Sequence, residues 1–268
     1  MLKFTVLFLV FLFANAKGSV QRISGGNPTS ISEYPFAVAL LTNGGQGNTY
    51  TQTCGGSILT NRAILSAASC FYTNNILNTP SWWRARVGST NANSGGTAYG
   101  INLIKVYDSY VAATQVNDLA ILRTNLAIQY NDNVAPARVA GVAYPYADNM
   151  MVWAVGWGET NAPSPSEELQ VVQMWLISQQ TCQNNYGSLP SFTVNEDMVC
   201  AGLTDVGVVG QCAGDVGGPL LGADGAVIGV FSRAEGCGDL RYPSINTRVA
   251  SYTRWIVSTA LDIMNIQQ

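Results

Sequence analysis

The sequence predicts an all-β fold, a barrel or a sandwich built from many short strands. From Phe36 onward, short apolar and β-branched runs alternate with clusters of Gly, Asn and Pro, which is the pattern of strands joined by tight turns. The chain holds 27 glycines and 10 prolines, and only 11% of its residues are charged, a composition that argues against long helices and disorder. Its 268 residues suffice for one large β domain or for two half-domains that share an interface.

The apolar runs mark the expected strands in order along the chain. Asn-Gly-Gly at residues 43–45 ends the first run, and Asn61 separates the next two, because these residue types favour turns. Residues 83–87 alternate apolar side chains with arginines, which we expect to face outward or to cover the rim. The runs predicted as strands are 36–41, 57–59, 63–65, 83–87, 119–122, 152–157 and 226–230.

Two segments depart from this pattern. Residues 161–166 contain two prolines and are predicted as a surface loop, because proline cannot donate to a strand ladder. Near the C-terminus the spacing of apolar residues predicts an amphipathic helix that packs on the core, with Ser251 available as its N-cap. The residues that form its apolar face are Tyr252, Trp255, Ile256, Thr259, Ala260 and Ile263.

The N-terminus is typical of a secretory signal peptide followed by a propeptide. Lys3 precedes an apolar run over 4–13 that is too short to span a bilayer, and an Ala-Asn-Ala cleavage site follows it. We therefore predict a signal peptide over residues 1–16, with a buried helix as the weaker alternative. Residues 17–22 form a polar stretch that ends in Arg22, which predicts a propeptide cleaved between Arg22 and Ile23. The protein is accordingly expected to be secreted and extracellular.

Six cysteines are present, and an exported chain is expected to oxidise them to three disulfides. The sequence alone allows fifteen pairings, as for any six cysteines. The chain contains no histidine, and its cysteines form no Cys-x-x-Cys pairs, so we expect neither a zinc site nor a cofactor.

The charges of the chain limit the classes of partner that we expect and indicate the surroundings in which the protein acts. The formal net charge is −3, and both nucleic acid and anionic membranes attract basic proteins, so neither is expected as a partner. Lys105 is the single lysine beyond residue 17. The remaining cations are arginines, which stay protonated in alkaline surroundings. This composition suits an alkaline gut lumen, although biased residue usage explains it equally well.

Seven motifs follow one another in the chain, at residues 22–26, 54–57, 67–70, 117–122, 156–158, 214–219 and 255–256. Together they resemble the trypsin/chymotrypsin family of serine proteases over about residues 22–256, and within it the insect digestive branch. The resemblance implies a domain over 23–268 with two antiparallel β-barrels and a cleft between them. Barrel one would span about 23–140, and barrel two about 141–250 followed by the C-terminal helix.

The residues that carry catalysis in the family are replaced at two of three positions. Asp118 matches the orienting carboxylate, but Ser69 stands at the position of the general base and Val216 at that of the nucleophile. A valine cannot attack a carbonyl group, and no other histidine can replace the base. We expect Asp118 to be buried and hydrogen-bonded by Ser69, Ser232 and backbone amides, and Gly214 and Val216 to keep the backbone N–H groups of an oxyanion hole.

The resemblance also implies features that maintain the shape of the fold. Asp215 would pair with the new N-terminal ammonium group of Ile23 after cleavage. The implied disulfides are Cys54–Cys70, Cys182–Cys200 and Cys212–Cys237, each contributing about 2–4 kcal/mol.

The specificity pocket departs from the family pattern as well. Gly210 stands at the pocket base where trypsins have an aspartate, so a basic side chain would find no counter-charge. Arg233 follows Ser232 in place of an aromatic wall, and we expect its side chain to point to solvent rather than into the cleft. Ala234 and Ser244 replace glycines that line the pocket.

These observations predict a secreted, catalytically inactive protease homologue that acts by binding. Its partner would be an active protease, a protease inhibitor or another protein ligand. A structural or storage protein is the alternative, because three disulfides and scarce lysine fit that role equally well. A weak hydrolase that uses Ser69 or Ser232 is the least favoured interpretation, since a serine without a base is a poor nucleophile.

Overall fold

A computed structural model of the chain describes residues 26–158, 167–189, 192–203, 210–239 and 241–265. The predicted signal peptide, the propeptide, the Arg22–Ile23 cleavage site and the loop at 161–166 lie outside the described residues. In the part of the chain that is described, the helices are all too short or too polar to span a membrane.

The first half of the chain forms a closed six-stranded barrel. Its strands pair antiparallel in the order β2-β3-β4-β9-β8-β7, while β5 and β6 form a separate hairpin and β1 joins the second half. The strands are β1 (Asn27–Pro28), β2 (Ala37–Thr42), β3 (Thr51–Ile58), β4 (Ala63–Ser66), β5 (Tyr72–Thr73), β6 (Ile76–Leu77), β7 (Trp83–Val87), β8 (Thr97–Val106) and β9 (Ala120–Thr124).

The second half forms another closed barrel. Its strands pair in the order β11-β10-β13-β14-β15-β12, and pairing of β12 with β11 closes the ring, while β1 pairs with the first residues of β11. The strands are β10 (Met151–Gly156), β11 (Gln170–Ile177), β12 (Met198–Gly202), β13 (Pro219–Leu221), β14 (Val227–Arg233) and β15 (Ser244–Arg248). The predicted all-β fold with two antiparallel barrels is therefore confirmed.

The described residues form two α-helices, of which α1 packs beside β12 and α2 packs against strands of both barrels. Helix α1 (Gln179–Tyr186) begins where the Ser178 hydroxyl accepts a hydrogen bond from the Thr181 N–H group, and its Cys182 is buried. Helix α2 (Val249–Asn265) is the predicted amphipathic C-terminal helix. The expected cap at Ser251 is wrong, because the helix continues directly from β15 and Ser251 lies inside its first turn. The Ala250 N–H group is instead satisfied by the Tyr146 hydroxyl at 3.3 Å.

Each predicted strand run falls on a strand of the structure, but several strands have no counterpart in the predictions. β8 mixes apolar residues with a glycine and a lysine, and its register shifts between Ile101 and Leu103. Such a bulge interrupts the alternation on which strand prediction depends. α1 was not predicted either, because its sequence carries almost no apolar residues.

The three disulfides of the structure are the pairs that the resemblance implied: Cys54–Cys70, Cys182–Cys200 and Cys212–Cys237. The first lies in barrel one, beside Ser69. The third ties the segment that precedes Val216 to the residues that follow β14. The disulfides therefore fix two of the segments that border the cleft between the barrels.

Candidate active site

The Asp118 carboxylate lies at the junction of the two barrels and is fully buried. Ser69, in a short 3-10 helix after β4, donates its N–H group to Asp118 Oδ1 at 2.7 Å and its hydroxyl to Oδ2 at 2.8 Å. Ser232, on β14 of the other barrel, donates its hydroxyl to Oδ2 at 2.6 Å. Asp118 is therefore buried and hydrogen-bonded by Ser69 and Ser232, as predicted.

The electrostatics of Asp118 follow from this burial. Desolvation raises the pKa of the Asp118 carboxyl to about 6, while hydrogen bonds from Ser232, Ser69 and Ala68 act in the opposite direction. At neutral pH the group is therefore mainly ionised. Its charge is balanced by hydroxyl and amide dipoles, where an imidazole would stand in a catalytic triad.

The backbone around Asp118 is positioned by contacts that the sequence patterns did not reveal. Asn117 adopts a positive φ of 60° and donates its side-chain amide to the Ser109 carbonyl at 2.7 Å. Tyr252 of α2 donates its hydroxyl to Asn117 Oδ1 at 2.5 Å, and Thr247 donates to the Asp118 carbonyl at 3.1 Å. The sequence placed Tyr252 on the apolar face of a helix, a pattern that carries no information about its hydroxyl.

Val216 lies in a tight loop between Cys212 and Pro219, where barrel two meets barrel one. Its carbonyl accepts from the Gly55 N–H group of β3 at 2.7 Å, and its partly buried side chain packs against the cores of both barrels. Gly217, with φ of 83°, has no room for a side chain, since a Cβ would lie 2.1 Å from the Ser66 hydroxyl. The loop is therefore held in one conformation by packing as well as by hydrogen bonds.

Some N–H groups of this loop donate hydrogen bonds within the described residues, and others do not. Asp215 donates to the Cys212 carbonyl at 3.0 Å, and Gly217 donates to the Phe231 carbonyl at 2.8 Å. The N–H groups of Gly214 and Val216, which the sequence predicts as an oxyanion hole, have no hydrogen-bond acceptor among the described residues. The described residues thus leave both N–H groups available to an acceptor atom of a ligand.

Gln52 contacts this loop, which the sequence patterns did not predict. Its side-chain amide nitrogen donates to the Gly214 carbonyl at 2.7 Å and to the Cys54 carbonyl at 3.1 Å. The Gln52 side chain thus joins β3 of barrel one to the loop of barrel two. A polar residue within a strand gives no sequence signal for such a role.

Asp215 is a second buried carboxylate, on the inner side of the same loop. It accepts from the N–H groups of Gly158 at 2.6 Å and Cys212 at 3.0 Å, and burial raises its pKa to about 7. Gly156 and Gly158 make room for it, because a Cβ on either would lie within 2.3 Å of a carboxylate oxygen. The predicted partner, the ammonium group of Ile23, lies outside the described residues, so this pair stays a prediction.

A cavity of about 360 Å³ opens beside Val216, and three of the five predicted pocket residues, Ser232, Arg233 and Ala234, line it, whereas Gly210 and Ser244 do not. Gly210 lies close to Gly238 and to the hydroxyl of Ser244, which accepts from the Gln211 N–H group at 3.1 Å. None of the described lining residues is acidic. They are Cys212, Ala213, Val216, Phe231, Ser232, Arg233, Ala234, Gly236 and Cys237.

The Arg233 side chain does not point to solvent as the sequence analysis expected. Its guanidinium group lies 4.3 Å from the centre of the Phe192 ring and forms an ion pair with Glu235. The Arg233 Nε atom is buried without a hydrogen-bond partner among the described residues. The expectation failed because Phe192, on a segment distant in sequence, offers an aromatic face that stabilises the cation.

The two family positions that differ are thus occupied by Ser69, beside Asp118, and by Val216, in the loop at the barrel junction. The N–H groups of Gly214 and Val216 have no acceptor among the described residues, and Val216 also lines the neighbouring pocket. The chain has no histidine, and both Asp118 oxygens accept hydrogen bonds from serines.

Comparisons with known proteins agree with this geometry. A family model described as Trypsin matches residues 23–256. The chain is 45% identical over 237 residues to "Trypsin, alkaline B" of Manduca sexta, covering 88% of this chain and 90% of that protein. It is 44% identical over 241 residues to "Trypsin CFT-1" of Choristoneura fumiferana, covering 90% and 91%. Achelase-1 of Lonomia achelous is 39% identical over 243 residues, covering 89% and 100%.

Proposed function

Because this chain belongs to the trypsin family of serine proteases, we propose that it is a catalytically inactive member that acts by binding a protein ligand. The single observation that carries the proposal is the contact of Ser69, at the position of the general base, with the Asp118 carboxylate. In a protease of this family that carboxylate orients a histidine, and here the Ser69 hydroxyl takes its place, while Ser232 binds the same carboxylate from β14.

The expected loss of activity is large. In a model serine protease, removal of the nucleophile or of the base alone costs about 10⁶ in turnover. Both groups are replaced here, and a valine side chain has no atom that can form an acyl-enzyme. The donors at Gly214 and Val216 supply at most the residual catalysis that such a frame gives, about 10³–10⁴ over the reaction in water.

What the chain retains supports binding as its role. The buried Asp215, the Gln52 contact with Gly214 and the disulfide Cys212–Cys237 hold the loop at Val216 in place. A cleft that keeps its donors and its pocket suits the extended backbone of a protease inhibitor or of a substrate. We therefore propose that the partner is such a protein and that nucleic acids and membranes are not partners.

Export and processing are part of the same proposal. The protein would be secreted, would lose its signal peptide after Ala16, and would be cut between Arg22 and Ile23. N-terminal sequencing of the protein recovered from culture medium checks both cleavages. A new N-terminus at Ile23 supports the pair with Asp215, whereas recovery from the cell with an intact Met1 contradicts export.

Activity assays test the central claim. We expect no labelling by a serine-directed fluorophosphonate and no hydrolysis of amide substrates with lysine, arginine or aromatic residues. An active trypsin of the same family, assayed in parallel, is the positive control. Turnover that survives purification and disappears in a Ser69→Ala variant would instead show a hydrolase that uses Ser69 with Asp118.

A further inference from the structure

We propose that the outer face of β7 binds an acidic, extended segment of a partner protein through Arg84 and Arg86. The two arginines alternate with the buried residues of this strand, so both project from the outer surface of barrel one. Neither arginine lines the cavity beside Val216. The inference therefore goes beyond the proposed function and does not depend on the loss of catalysis.

Neither arginine has an acidic partner. In the part of the chain that the structure describes, the ion pairs involve other cations than Arg84 and Arg86. Burial lowers the pKa of the Arg86 guanidinium below its ordinary value, and no carboxylate among the described residues counters this effect. Charges that are partly removed from water are normally paired, and two cations on one face of a strand repel each other. An anionic ligand would compensate both charges.

Both guanidinium groups are held in place and can be reached by a ligand. Arg84 is exposed, and its guanidinium carbon lies 4.0 Å from the centre of the Tyr50 ring. The Tyr50 hydroxyl donates to the Ser81 carbonyl at 3.1 Å, which fixes that ring. Stacking uses the face of the guanidinium plane and leaves the N–H groups at its edge available. Arg86 donates from Nη1 to the Gly95 carbonyl and buries its Nε atom, whereas its Nη2 atom is neither bonded nor enclosed by the described residues.

The surface beside the two arginines carries small side chains. In the register of the sheet, Arg84 lies opposite Gly100 of β8 and Arg86 opposite Ala98, and residues opposite each other share a face of the sheet. The side-chain amide of Asn125 lies over Gly100, where a Cβ would come within 3.2 Å of its nitrogen. The strip along the arginines is therefore shallow and polar, which suits the backbone of a peptide.

The spacing of the arginines selects the ligand. Alternate residues of a strand lie about 7 Å apart, because each residue adds about 3.3 Å. An extended peptide with carboxylates at alternate positions, such as Glu-Thr-Glu, has the same spacing and projects both carboxylates to one side. A guanidinium group binds a carboxylate through two parallel hydrogen bonds. The chain has a formal net charge of −3, so a long polyanion such as a sulfated glycan would be repelled by the rest of the surface.

Titration calorimetry with matched peptides tests the proposal on the purified protein. The probes are short blocked peptides rich in threonine that differ in their central residues: Glu-Thr-Glu, Gln-Thr-Gln, or Glu-Glu with adjacent carboxylates. We expect Glu-Thr-Glu to bind about tenfold more tightly than Gln-Thr-Gln, as two surface ion pairs of about threefold each allow. Adjacent carboxylates point to opposite sides of an extended peptide, so the Glu-Glu peptide should bind about threefold more weakly than Glu-Thr-Glu.

Two variants assign the effect to β7. Because Arg84 is exposed, Arg84→Gln should fold normally and should lose about threefold in affinity for Glu-Thr-Glu. Arg254→Gln, at an exposed position on α2, removes the same charge elsewhere and should leave the affinity unchanged. An equal loss in both variants would show attraction by overall charge and would overturn the proposal.

Three further outcomes also overturn it. They are equal affinity for Glu-Thr-Glu and Glu-Glu, absence of saturable binding by Glu-Thr-Glu, and tighter binding of a heparin oligosaccharide, which would assign the site to a sulfated glycan. Assays of amide hydrolysis test the proposed inactivity alone, because Arg84 and Arg86 lie outside the lining of the cavity. The two proposals therefore fail independently.

Discussion

As the pH rises, the free energy of unfolding of an Asp118→Asn variant should increase relative to that of the unchanged protein. Burial raises the pKa of this carboxyl from 3.8 to about 6, so the folded state holds the proton more tightly than the unfolded state does. The stability that the proton supplies is fully present below pH 3.8 and is lost as the pH rises through about 6. Asparagine at position 118 carries no charge at any of these pH values.

The size of the effect follows from the shift of the pKa. A difference of one pKa unit corresponds to about 1.4 kcal/mol, so the rise from 3.8 to about 6 corresponds to about 3 kcal/mol, as an order of magnitude. Between pH 4 and pH 8 the free energy of unfolding of Asp118→Asn should therefore increase, relative to that of the unchanged protein, by about this amount. Ser69 and Ser232 remain available to the amide, because a hydroxyl both donates and accepts.

Urea unfolding at a series of pH values, with the disulfides intact, measures the difference. Asp215, whose pKa is also raised, is present in both proteins and cancels in the comparison. Asp132→Asn, at an exposed position, is the matched control for the change of residue type. A difference between Asp118→Asn and the unchanged protein that stays constant from pH 4 to pH 8 would refute this reasoning.

Two further predictions concern the loop and the lost chemistry. Ser69→His combined with Val216→Ser rebuilds the side chains of a triad. Amidase assays of this double variant should still show little activity on arginine and lysine substrates, because Gly210 supplies no counter-charge. Strong activity on these substrates would contradict the expected role of Gly210. Gly217→Ala should lower the free energy of unfolding by more than Gly225→Ala in urea titrations. Both glycines have a positive φ, but only at Gly217 would a Cβ meet other atoms; equal losses would show that the loop relaxes freely.

The sequence was most informative where one residue type decides the chemistry. Because the chain contains no histidine, no fold of this sequence can supply an imidazole base. The burial of Asp118 and its contacts with Ser69 and Ser232 were predicted from motif positions and agree with the structure. The apolar runs located strands correctly, because a strand that is buried on both faces requires a continuous apolar run.

The sequence was least informative where contacts join distant segments. Arg233 was expected in solvent, and only the fold places Phe192 beneath its guanidinium group. β8 was not predicted because its bulge breaks the alternation. Helix α1 was not predicted because its sequence is polar, and a local cap and a disulfide to β12 position it instead.

The sequence by itself determined which reactive groups this protein lacks and which family motifs it keeps, since those depend on residue identity alone. Only the tertiary structure decided how the remaining polar groups are used. Gln52 donates to the Gly214 carbonyl, while the side-chain oxygen of Gln211 is buried without a partner in the part of the chain that the structure describes. Two residues of one type thus differ in role, because hydrogen bonding and burial depend on neighbours that the fold brings from far along the chain.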